Sequence, residues 1–145
     1  MQSLIQDLLE LSRIGRSEPP PQAVALGDLA ESVAQELRAL HPGCRISVEG
    51  TFPVVWMSEL RARQLLTNLM DNAVKYGHAA RVSVDRINGA ARIRIRDAGP
   101  GIPGAELARV FDPFYRVETS RSRESGGTGL GLTIARNIAE QHGGS

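Results

Sequence analysis

Residues 68–76 read Asn68-Leu69-Met70-Asp71-Asn72-Ala73-Val74-Lys75-Tyr76, and this stretch decides how the chain is read. It closes a helix expected over about 59–76, capped by Ser58, with Ala62, Leu65, Leu66, Leu69 and Ala73 as its apolar face. Asn68, Asn72, Lys75 and Tyr76 fall at i, i+4, i+7 and i+8, so they form one stripe. Asn costs roughly 0.5–0.7 kcal/mol against Ala inside a helix. Two on one stripe point to work beyond solvation; a solvated polar face is the plain alternative.

The hydrophobic pattern outward from this helix alternates in type. Residues 81–87 and 91–97 read as strands around Asn88-Gly89, a strong hairpin signal, so they should be antiparallel. Val82, Val84, Ile93 and Ile95 share one face; Arg92, Arg94 and Arg96 share the other. Upstream, 45–49 reads as a strand and 53–56 as a second short one. Asp28 and Glu31 form a capping pattern for a helix over about 29–40, which Pro42 and Gly43 end. Residues 3–14 read as an amphipathic helix, and the run Pro19-Pro20-Pro21 marks a linker over 17–23. A last helix is expected over about 129–142, burying Ile134, Ala135, Ile138 and Ala139.

Two glycine loops flank the irregular stretch 98–128. The first is Asp97-Ala98-Gly99-Pro100-Gly101-Ile102-Pro103-Gly104, with a carboxylate at a strand end and backbone able to approach a flat ligand. A plain turn is its alternative. Its literal G-x-G-x-x-G does not mark a dinucleotide site, because the preceding strand belongs to an antiparallel hairpin and two prolines interrupt it. The second is Gly126-Gly127-Thr128-Gly129-Leu130-Gly131-Leu132, running into a helix whose free N–H groups favour phosphate. A flexible linker is its alternative. Between them lie Phe111 to Arg116, then Arg121 and Arg123, read as a lid docked by aromatics, with arginines in reach of phosphate; an ordinary solvated loop anchored by Phe is the alternative.

Bulk properties narrow the classes. The 145 residues are 41% hydrophobic and 23% charged, the balance of a soluble globular chain. A net charge of +1 argues against nucleic acid as a partner. The single cysteine, Cys44, excludes an intramolecular disulfide, and the three histidines lack metal-ligand spacing. No apolar run approaches the ~20 residues of a membrane span, and no signal peptide opens the chain, so a cytoplasmic setting is expected.

At this point four boxes become recognisable. Asn68 to Tyr76 resembles the N box of the sensor histidine kinases. Asp97-Ala-Gly99-Pro-Gly101-Ile102 looks like their G1 box, Phe111 to Arg116 like their F box, and Gly127-Thr-Gly129-Leu-Gly131-Leu like their G2 box. They stand in the family's order. Residues 4–16 resemble the end of a dimerisation helix in such kinases, notably the phytochrome-like ones. The resemblance implies a GHKL-type two-layer α/β sandwich, with a mixed sheet and helices on one face. It implies a dimerisation-helix end at 1–16, a linker at 17–23 and an ATP-binding catalytic domain at 24–145.

The resemblance also implies roles. Asn72 would hold Mg²⁺ bridging the ATP phosphates, with Asn68 nearby. Lys75 would contact phosphate and Tyr76 would stack on adenine. Asp97 would accept from the adenine amino group, beside Gly99, Gly101 and Ile102. Gly127, Thr128, Gly129, Leu130, Gly131 and Leu132 would cradle phosphate, with Phe111, Arg116, Arg121 and Arg123 in the lid. All of these stretches would converge on one nucleotide. The expected activity is that of a protein-histidine kinase in two-component signal transduction. Its partners would be a histidine-bearing dimerisation domain, a response regulator receiver domain and, in the intact protein, a second copy. In the related gyrase, MutL and Hsp90 ATPases a glutamate activates water four residues before the metal-binding Asn. Here that position is Asn68, which cannot act as a general base, and this favours phosphotransfer over hydrolysis.

Two departures shape the expectation. No histidine has the context of a phosphoacceptor, so self-phosphorylation is not expected. The family's two final strands are missing after Ser145, so marginal stability, strand swapping or self-association is expected. An alternative is a catalytically incomplete module that dimerises with, or regulates, a full-length kinase. A relative that phosphorylates serine on a protein partner is a third reading, and the dimerisation-like helix argues against it.

Overall fold

The computed structural model describes residues 4–14, 16, 18–50, 53–117 and 129–145. The chain divides into two compact units, one formed by Met1–Glu18 with Pro100–Ser145 and the other by Pro19–Gly99.

The 19–99 unit is an α/β sandwich. Its elements run β1 (Gln22–Ala25), α2 (Leu26–Leu40), β2 (Arg45–Gly50), β3 (Val54–Met57), α3 (Glu59–Gly77), β4 (Ala79–Ile87) and β5 (Ala90–Arg96), after α1 (Leu4–Arg13) in the other unit. Strands β2, β4 and β5 form a mixed sheet in which β2 runs parallel to β4 and β4 antiparallel to β5. Strands β1 and β3 form a separate antiparallel pair. Helices α2 and α3 cover one face of the three-stranded sheet, onto which Ile46, Ala80, Val82 and Val84 turn their side chains. The opposing helix faces supply Leu29, Val33, Leu37, Leu66, Met70 and Val74, all buried. The expected mixed sheet with helices on one face is therefore present in this unit.

Local chemistry explains most boundaries. Ser58 caps α3, its hydroxyl accepting from the Arg61 N–H at 3.3 Å. Helix α3 ends at Gly77, where His78 takes a left-handed conformation and its N–H returns to the Val74 carbonyl at 3.0 Å. Asn88 and Gly89 both have positive φ, as a two-residue type I′ hairpin needs, and the register pairs Ile87 with Ala90.

Three expectations are corrected. Helix α2 starts at Leu26 rather than near Asp28, behind Ala25, which offers no side-chain cap. Leu26 is itself buried and its N–H reaches the Pro53 carbonyl at 3.3 Å, so tertiary burial sets this start and Asp28 lies within the first turn. Gln22 and Ala23, expected in the linker, belong to strand β1. The core of α3 uses Met70 and Val74, whereas Leu65 and Leu69 are only half-buried.

Among the described residues of the other unit, α1, a short 3₁₀ turn (Gly104–Glu106) and α4 (Gly131–Gln141) are the regular elements. Helix α4 buries Thr133, Ile134, Ala135 and Ile138, while Ala139 is half-buried. Among the described residues no helix is long and apolar enough to cross a membrane.

Replacing Ser58 by Ala removes the cap of the helix that carries the Asn stripe. We expect Ser58→Ala to lower unfolding free energy by about 1 kcal/mol, read as a lower urea midpoint with unchanged slope.

Candidate functional site

Helix α3 carries Asn68, Asn72, Lys75 and Tyr76 along one stripe of its last three turns. Asn68 and Asn72 are half-buried, and their amide groups make no hydrogen bond with any described residue. Two Asn side chains inside a helix, with both amides left open to solvent or ligand, carry a helix-propensity cost and return nothing to the fold.

Lys75 is oriented by a residue that the sequence reading passed over. Its Nζ lies 2.9 Å from Asp71 Oδ2, one turn earlier, and the other Asp71 oxygen lies 3.8 Å from His41 Nε2. The lysine and aspartate side chains are about a third exposed, at 29% and 31%. A pair of this kind contributes only about 0.3–0.5 kcal/mol. Its effect is to narrow the positions that the ammonium group visits.

The end of α3 is pressed against the loop that follows β5. A Cβ placed on Gly77 would lie 2.4 Å from Asp97 Cβ, and one on Gly99 would lie 2.7 Å from the Tyr76 carbonyl oxygen. Only the two missing side chains let the Asn-bearing helix and the Asp97 loop meet this closely. Asp97 is fixed there, its Oδ1 accepting from the Gly99 N–H at 2.8 Å. Its Oδ2 has no partner among the described residues and remains able to accept a hydrogen bond. Gly77 was missed in the sequence, although its place directly after Tyr76 was a usable signal.

In the other unit, the Phe111–Arg116 strap and the start of α4 hold each other. Gly129 has φ +78°, its carbonyl accepts from the Phe114 N–H at 3.0 Å, and an added Cβ would lie 2.9 Å from Phe114 backbone atoms. Thr133 Oγ1 donates to the Phe111 carbonyl at 2.7 Å, and the Tyr115 hydroxyl donates to Glu106 at 2.6 Å. The strap was expected to dock through its aromatics. Two of the three do so in part: the Arg136 guanidinium of α4 lies 5.5 Å from the Phe111 ring centroid and that of Arg109 lies 4.4 Å from the Tyr115 ring centroid, while Phe114 is exposed, Val110 is buried and backbone and hydroxyl hydrogen bonds add to the attachment. Arg116 is half-buried, Gly101 and Ile102 are exposed, and Gly101 has φ +81°.

Leu130 precedes α4 without a side-chain cap, so the N–H groups of the first turn, from Gly131 and Leu132 onward, have no intrahelical acceptor. Such a terminus suits an anion. Arg121, Arg123, Gly127 and Thr128, also expected at the site, lie outside the described residues.

The sequence profile of the histidine kinase-, DNA gyrase B- and HSP90-like ATPases matches residues 57–145, which take in both groups of residues. The chain belongs to that family. The sensor histidine kinase YkoH of Bacillus subtilis (strain 168) is 36% identical over 146 residues, covering 99% of this chain and 32% of that protein. Full-length ShkA in complex with AMPPNP superposes with a TM-score of 0.80 at 28% identity, over 98% of this chain and 31% of that one. The mycobacterial sensor histidine kinase MprB gives 0.75 at 26% identity, over 86% and 82%. Within that family the chain is similar to the ATPase domains of these sensor histidine kinases, and it spans about a third of the length of YkoH.

Two substitutions test these close backbone approaches. Gly77→Ala places a methyl group inside Asp97 and should cost about 1–3 kcal/mol of stability, read by urea unfolding. Gly129→Ala should cost about 1–2 kcal/mol from the left-handed backbone alone. It should also speed amide exchange across 131–135.

Proposed function

We propose that this chain binds Mg²⁺–ATP and donates the γ-phosphoryl group to a histidine on a dimerisation domain, for relay to a response regulator. The observation that supports it most is the pairing of two unpartnered, half-buried Asn amides on α3 with a carboxylate held at the end of the same helix by Gly77 and Gly99.

The residues present fit the group that the family implies. Mg²⁺ takes hard oxygen ligands and keeps phosphates and waters, so one or two amide oxygens suffice from the protein. Asn72 would hold the ion, with Asn68 beside it. Bound there, the ion supplies neutralisation of phosphate charge. Asp97 Oδ2 accepts from the exocyclic amine of adenine, a contact that guanine cannot make at that position. Gly99 and Gly101 keep side chains away from the ring, Ile102 adds apolar contact and Tyr76 stacks. Lys75, steadied by Asp71, meets phosphate as a point charge. The N–H groups at the start of α4 accept negative charge, with Gly129, Leu130, Gly131 and Leu132 setting the approach. Gly127, Thr128, Phe111, Arg116, Arg121 and Arg123 complete the proposed set.

Asn68 stands where a general base would be needed to activate water, and a carboxamide does not take up a proton at neutral pH. The site therefore positions and neutralises while the nucleophile arrives on another polypeptide segment. Helix α1 fits an associated role. Leu4, Ile5, Leu8 and Leu9 are exposed along it, an apolar row for a partner helix in a homodimer. On this reading residues 1–16 end a dimerisation helix and 24–145 are catalytic, acting in the cytoplasm.

A phosphotransfer assay in trans tests the proposal, with radiolabelled ATP and a histidine-bearing dimerisation domain. Acid-labile label should appear on the histidine and should vanish with Asn72→Ala. Asp97→Asn replaces an acceptor by a donor and should weaken ATP binding by about 1.5–3 kcal/mol, roughly 10- to 150-fold, with little change for GTP. A parent chain that binds no Mg²⁺–ATP overturns the reading.

A further inference from the structure

The face of the three-stranded sheet turned away from α2 and α3 is open to solvent, and it is basic. Arg45, Ser47 and Glu49 of β2, Arg81, Ser83 and Asp85 of β4, and Arg92, Arg94 and Arg96 of β5 share it. Five arginines stand against two carboxylates, an excess of three positive charges on a chain whose net charge is +1. Asp85 takes Arg92 in a forked pair at 3.1 and 3.0 Å. Glu49 approaches Arg81 only to 4.0 Å. Arg94 and Arg96 make no ion pair or side-chain hydrogen bond with any described residue.

The register makes this costly. Arg81 and Arg96 are direct cross-strand partners, and like charges directly opposite destabilise a sheet. Arg94 faces Ser83, which offers no charge. Solvation of an open sheet face needs only polar side chains of mixed sign. A row of arginines at alternate positions of β5, with another arginine set opposite, concentrates one sign instead. Arg81, Arg94 and Arg96, with Glu49 and Ser83, line a shallow cavity of about 100 Å³.

We propose that this face docks an extended acidic segment of a protein partner, with carboxylates at positions i and i+2. Arginines two residues apart on a strand repeat at about 6.8 Å, and so do alternate side chains of an extended peptide. Each carboxylate can take an arginine fork, Arg94 for one and Arg96 with Arg81 for the other. Nucleic acid fits less well, since none of the residues that β2, β4 and β5 turn to this face is aromatic, so bases have nothing there to stack on.

Fluorescence anisotropy on the full chain tests this with a labelled peptide of alternating Glu and Ser at low salt. Saturable binding is expected. Arg94→Glu and Arg96→Glu should each weaken it at least about tenfold. Arg86→Glu makes the same charge change on β4 at a position of opposite side-chain parity and should change it less than about twofold. Both test substitutions remove like-charge crowding, so the fold should survive, and an unchanged urea midpoint checks this. Equal loss with Arg86→Glu would reduce the effect to general charge attraction and overturn the proposal. So would absent peptide binding, or tighter Arg94-dependent binding of a single-stranded oligonucleotide or of anionic vesicles. Displacement of the peptide by an equimolar amount of inorganic phosphate would mark a simple anion pocket and overturn it as well.

Discussion

The end of α3 and the loop after β5 approach each other so closely that neither Gly77 nor Gly99 can carry a side chain without a shift of its neighbours. Gly77 and Gly99 leave room that any side chain would close, and the Asp97 carboxyl group occupies part of it. That contact converts two separate sequence signals, a polar stripe on a helix and an aspartate at a strand end, into one local arrangement. It also fixes Asp97 through the Gly99 N–H, so that one oxygen is spent on structure and the other stays available. Pre-set acceptors of this kind avoid an ordering cost when a ligand arrives.

Around this contact the chain tolerates several local costs. Asn68 and Asn72 weaken α3, and His78 adopts a left-handed backbone at its end. The buried faces of Leu66, Met70 and Val74 against Val82 and Val84 supply the compensation, because apolar burial of a single such side chain outweighs an Asn penalty several times over. In the other unit, the strap from Phe111 to Tyr115 is tied by backbone and hydroxyl hydrogen bonds and by the Arg136 guanidinium over the Phe111 ring, while Phe114 stays exposed.

Much of this was legible in the sequence, for identifiable reasons. Helix α3 announced itself by recurring apolar residues at helical spacing and a serine cap, although its core face lies one position further round, at Met70 and Val74, and the hairpin by Asn88-Gly89 between alternating strands. Strand β1 was hidden because four residues after three prolines carry too little periodicity to register. The start of α2 was misplaced because a capping pattern at Asp28 competed with burial of Leu26, a tertiary effect that no local rule contains. The roles of Gly77 and Asp71 were missed for the same reason. One depends on what a distant loop puts beside it, the other on which neighbour a lysine meets. The stripe of Asn68, Asn72, Lys75 and Tyr76, by contrast, followed from helical spacing and the strand-end position of Asp97 from the hairpin pattern, while their roles came only with the family resemblance.

We propose that residues 68–77, 97–101 and 129–132 serve one nucleotide. Amide hydrogen exchange of the chain with and without Mg²⁺–ATP tests it most directly. Saturating nucleotide should slow exchange in all three stretches with a common midpoint, and omission of Mg²⁺ should weaken the protection of all three together. Protection confined to one stretch, or midpoints that differ between them, would contradict it.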